Sequence, residues 1–143
     1  MSEKFDREIA ELLDARKKKQ QEVEQQQKQR EADAKQFTAE WMQMQNGVVI
    51  PTFESIATTL GRRGVTATVG NEGAVLSLQV VLQDHRSRGI DPPRISFEPS
   101  PFTQSVKVDT SDQSKNMKLI DITADYIEDA VLAMTRKYLN PEG

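Results

Sequence analysis

The sequence contains no cysteine, which excludes disulfides, thiolate nucleophiles and thiolate metal sites, and leaves the chain with no need of an oxidising compartment. No apolar run approaches the roughly 20 residues needed to span a bilayer. The opening Met-Ser-Glu-Lys-Phe-Asp lacks the basic then apolar pattern of a signal peptide. A cytoplasmic location without a membrane partner is the expectation. Excess charge of one sign is also missing: 19 basic residues stand against 22 acidic ones. Dividing the chain after Gly47 gives nine basic against ten acidic residues before it and ten against twelve beyond it. Neither part is a polycation, which argues against a dedicated nucleic-acid binder, for which a net basic domain is usual. Neither G-x-x-x-x-G-K-[ST] nor G-x-G-x-x-G occurs, so nucleotide chemistry has no motif and no cofactor is expected.

Glycine and proline are absent from residues 3–45, and Glu, Gln, Lys, Arg and Ala dominate there. All five favour helix, so one long helix is expected. Glu3 to Arg7, Asp14 to Lys18, Glu24 to Lys28 and Glu31 to Lys35 are acidic-to-basic pairs in the favourable i,i+4 order. Apolar residues gather in two patches, Phe5, Ile9, Leu12 and Leu13 near one end and Phe37, Trp41, Met42 and Met44 near the other. Between them a heptad seam would land on Arg16, Lys19, Val23, Gln26, Arg30 and Asp33, so any coiled coil would be polar there. The second patch is expected to dock on the rest of the chain through Phe37 and Trp41.

Asn46-Gly47 reads as the end of this helix, and Pro51 as the first turn of a second, short one with the stripe Phe53, Ile56, Ala57 and Leu60. The pattern then changes to period two. Residues 65–69 and 75–82 alternate around Gly70-Asn71-Glu72-Gly73 and read as a hairpin. Residues 94–98 and 104–109 give two further strands, with Ile95, Phe97, Val106 and Val108 inward, and residues 117–122 suggest a short fifth. Thr123 caps a final helix with the stripe Ile127, Val131, Met134 and Tyr138, and Ile122 and Ile127 are placed to form a staple across the cap.

The expected fold is therefore α+β: a long amino-terminal helix, a short second helix, a mostly antiparallel sheet of four or five strands, and a carboxy-terminal helix on one sheet face. Residues 1–46 form a charged stalk and 47–143 one compact domain. The core should contain Phe53, Ile56, Leu60, Val69, Leu76, Leu78, Val80, Ile95, Phe97, Val106, Val108, Ile127, Val131 and Met134.

No constellation points to a reaction. His85, the single histidine, stands beside Asp84 and near Ser87, but neighbours in sequence rarely face one another as a triad, and a solvated loop explains them. Asp109, Asp112, Asp121 and Asp125 match no calcium loop and are explained as turn and helix-start residues, so no metal site is assigned. A small enzyme using these groups is the weakest of three readings. The second is nucleic-acid binding through Arg62, Arg63, Arg86, Arg88 and Arg94, with Lys107 on a neighbouring strand. The leading one is a non-enzymatic assembly module. Phe5, Ile9, Leu12 and Leu13 lie some 35–40 Å along the helix from the docking patch, too far for one domain to cover both, so a second copy or another protein is expected to cover them.

Overall fold

The computed structural model describes residues 2–81, 92–111 and 113–139. Helix α1 spans Glu3–Met44 and α2 spans Ile50–Arg62. The side chain of Ser2 starts α1 by accepting a hydrogen bond from the Phe5 N–H at 3.3 Å. None of the four predicted helix ion pairs closes, and the side-chain links seen on α1 are instead amide to carboxylate, Gln29 to Asp33 at 2.9 Å and Gln36 to Glu40 at 3.2 Å.

Asn46-Gly47 does not end the helix. Gln45–Val49 forms a π-helical turn that carries the chain from α1 into α2, with the Ile50 N–H donating to the Gln45 carbonyl. The reason lies in Pro51, whose ring crowds the carbonyl four residues back and which supplies no N–H. A widened turn just ahead of it accommodates both defects while the chain stays helical. Packing favours this solution, since Trp41, Val49 and Phe53, drawn from both sides of and within the turn, are all buried. The helical path over residues 3–62 is about 90 Å long at ~1.5 Å per residue.

Five strands follow as an antiparallel meander in the order β1-β2-β3-β4-β5: Thr66–Glu72, Val75–Val81, Arg94–Ser100, Ser105–Asp109 and Ser114–Met117. The first hairpin is tighter than the sequence suggests. Gly70 and Asn71 lie within β1, Glu72 pairs with Val75, and the turn reduces to Gly73-Ala74, with Gly73 at φ +61°. Pro99 sits in β3 beyond the last β2 partner, Leu76 opposite Phe97, so its missing N–H breaks no ladder. The fifth strand lies earlier than expected. Thr110 and Gln113 close a turn through a 2.8 Å backbone bond, which delivers Ser114 opposite Asp109, while Leu119–Asp121 is a short 3-10 turn.

One sheet face carries Leu76, Leu78, Val80, Ile95, Phe97, Val106, Val108 and Met117, all buried. Against it lie the helices and Ile122. Phe53 meets Phe97 with ring centroids 5.7 Å apart, a tilted arrangement that aromatic quadrupoles favour. Helix α3, Ala124–Leu139, begins where the Thr123 hydroxyl accepts from the Tyr126 N–H at 3.1 Å, and buries Ile127, Val131, Met134 and Thr135. Phe37 and Trp41 dock as expected, joined by Ala34, whereas Met42 of that patch stays exposed. Val69 is a correction to the expected core: β1 is an edge strand, and Val69 remains 37% exposed. Ile56 and Leu60 are only partly buried.

Candidate interaction surfaces

Four apolar side chains of α1 stand free of the domain. Phe5, Ile9, Leu12 and Leu13 are 53%, 38%, 66% and 59% exposed, and Val23 further along is also exposed. At 3.6 residues per turn, Phe5, Ile9, Leu12 and Val23 fall within a sector of about 60°. The same sector, widened to roughly 80°, holds Ala34, Phe37 and Trp41, which are buried against the domain. The free stripe is thus the continuation of the docked face beyond the domain edge.

That edge is marked by Phe102, in the turn of residues 101–104 between β3 and β4. Its ring is 69% exposed. Together with Val23, Gln26, Gln27, Arg30 and Glu31 it lines a cavity of about 470 Å³, and with Glu31, Ala34, Lys35 and Thr38 it lines another of about 360 Å³. The turn therefore overhangs the helix, and the overhang and the helix face meet in a corner. Phe102 was missed in the sequence because a lone aromatic between Pro101 and Thr103 belongs to no period.

A third concavity, about 270 Å³, lies between α2 and α3 and is lined by Ile56, Leu60, Val131, Leu132 and Thr135 among others. The Thr135 Oγ1 is buried there without a hydrogen-bond partner.

The arginine set is only partly brought together. Arg62 ends α2 and Arg63 caps it, close to the start of β1, and Arg94 opens β3 at the same end of the sheet. Two strand spacings, on the order of 10 Å, separate β1 from β3. Lys107 lies on the polar sheet face with Arg94 but is opposite Glu98 and 3.9 Å from Asp109, so that face carries balanced charge. Arg86, Arg88, Asp84, His85 and Ser87 lie outside the described residues, as does Asp112. Among the described residues no group of three or more His, Asp or Glu side chains is placed to hold a metal ion, and no helix is long and apolar enough to cross a membrane. Asp125 stands in the first turn of α3, as its helix-start role requires.

Set against protein-family models, curated proteins and solved structures, the chain has no match in any of the three.

Proposed function

We propose that the protein is a non-enzymatic assembly module, resident in the cytoplasm, that associates through the amino-terminal half of α1, with a second copy as the partner. The observation that supports this reading is the detached apolar stripe Phe5, Ile9, Leu12 and Leu13 on an otherwise charged helix. A straight helix carries the stripe away from its own domain, so folding alone cannot cover it, and apolar area that folding leaves exposed favours association. Any coiled-coil-like pairing is confined to the amino-terminal half, because Gln26, Arg30 and Asp33 occupy the seam beyond it and Phe37 and Trp41 are docked on the domain.

The test is the solution mass of the full chain by light scattering over a range of concentrations, beside Leu12→Glu. Dimer formation that Leu12→Glu removes, with the circular dichroism spectrum unchanged, supports the module. A full chain that stays monomeric at every concentration refutes it.

A second reading is favoured by one placement, that of Arg62, Arg63 and Arg94 at one end of the sheet. Such a cluster binds phosphates with an affinity that falls steeply with salt. Titration of a labelled duplex and a labelled single strand at low salt, with no binding to either, removes this reading.

A further inference from the structure

We infer that two copies pair antiparallel through α1, each inserting its Phe5 end into the corner between Val23 and Phe102 of the other. This rests on the assembly reading and specifies its partner, direction and register.

Three observations lead to it. First, the corner sets one apolar side chain on each wall, Val23 on the helix and the highly exposed Phe102 on the overhang, with Gln26, Gln27, Arg30 and Glu31 completing its lining. Its volume of about 470 Å³ exceeds the ~150 Å³ that suffices to hold a benzene ring, so a phenylalanine side chain fits. Second, Phe5, Ile9 and Leu12 share the helix face that the overhang covers further along, so a helix laid on this face runs directly toward the corner. The domain edge then acts as an end stop. With Phe5 against Val23, paired residue numbers sum to about 28, the two-fold axis passes near Asp14, and the overlap of some 22 residues is about 33 Å long. The contact is isologous, so it closes at two copies.

Third, charge chooses the direction. The run Arg16-Lys17-Lys18-Lys19 lies just inside the acidic end that carries Glu3, Asp6, Glu8 and Glu11. A parallel in-register pair sets each basic run beside its own copy, and each acidic end likewise. The antiparallel pair sets the basic run of one copy beside Glu8 and Glu11 of the other. Glu8 and Lys19 lie on the same flank of the stripe at this register, where they can pair across the interface.

The absence of cysteine makes the register directly readable. Glu8→Cys and Lys19→Cys are prepared separately as full-length chains, mixed, and oxidised with glutathione disulfide. The inference expects cross-linked dimer in the mixture and little in either variant alone, because Cys–Cys contact then needs one of each. Ready cross-linking of Glu8→Cys with itself signifies a parallel pair, which overturns the register while leaving assembly standing. Phe102→Ala, at an exposed turn position, is expected to weaken dimerisation by tenfold or more, whereas Leu132→Ala in the groove between α2 and α3 leaves it unchanged. An unaltered dimer in Phe102→Ala overturns the corner, and a wild-type chain that never dimerises defeats the assembly reading itself.

Discussion

The Thr135 hydroxyl is the sharpest internal test of the packing. Its Oγ1 is buried in α3 beside the groove against α2 and accepts or donates no hydrogen bond. A buried hydroxyl without a partner costs about 1–3 kcal/mol relative to water. Valine has the same branched shape and nearly the same helix propensity, so Thr135→Val removes the polar group without opening a cavity. A stabilisation of about 1 kcal/mol is expected, equivalent to a rise in Tm of roughly 2–6 °C for a chain of this size. Urea unfolding followed by tryptophan fluorescence is a suitable assay, since Trp41 is the sole tryptophan and is buried. The midpoint should rise with the slope unchanged, as a pure stability effect requires. A lower midpoint refutes the reasoning, and would mean that the hydroxyl is satisfied in solution, with the Val131 carbonyl one turn back as the natural acceptor.

Gly70 lies opposite Ser77, and a Cβ built on it falls 2.9 Å from the Ser77 Oγ. Gly70→Ala should therefore destabilise by about 1–2 kcal/mol through crowding, and adding Ser77→Ala should restore most of the loss, a coupling that a double-mutant cycle in urea reads directly. Gly47 stands in the π turn with nothing within 4 Å of an added Cβ. Gly47→Ala should stabilise by about 0.5–1 kcal/mol by reducing backbone freedom in the unfolded chain, and a decrease in thermal midpoint would show that the turn depends on glycine.

The parts of this fold legible from sequence are those with one buried face and a clean period. Leu76, Leu78 and Val80, then Ile95 with Phe97 and Val106 with Val108, alternate because the sheet has a wet side and a dry side. Thr123 is equally legible, since a cap acts within one turn of itself. Val69 obeys the same alternation yet stays exposed, because strand order decides which apolar residue lies at the edge. Ser114–Met117 has almost no side-chain signal and pairs because the Thr110 turn presents its backbone to β4. Asn46-Gly47 carries a strong local stop signal that loses to the burial of Trp41, Val49 and Phe53, a tertiary effect outside any local window, whereas Pro51 stands in the first turn of α2 as expected. At the candidate site the Phe5, Ile9 and Leu12 stripe is readable as a helical period, but the corner is not, because Phe102 is about 80 residues away in sequence and meets Val23 only through the fold.

The size of the corner contact bounds how tightly the chain can self-associate. Phe5, Ile9, Leu12, Val23 and Phe102 are between 38% and 69% exposed in one copy. Full burial of such a side chain is worth about 1.5–3 kcal/mol, so the exposed part yields roughly 1 kcal/mol each. Ten side chains in a symmetric pair then supply about 10 kcal/mol. Association costs at least about 4 kcal/mol in lost translation and rotation, and the exposed ion pairs add little. The net is at most about 6 kcal/mol, a Kd no tighter than tens of micromolar. Two copies alone should therefore form a concentration-dependent dimer, tightened further only when both domains are held on a common support that raises their effective concentration. Sedimentation equilibrium giving a nanomolar Kd would mean that much more surface than this stripe and corner is buried, which would place the interface elsewhere.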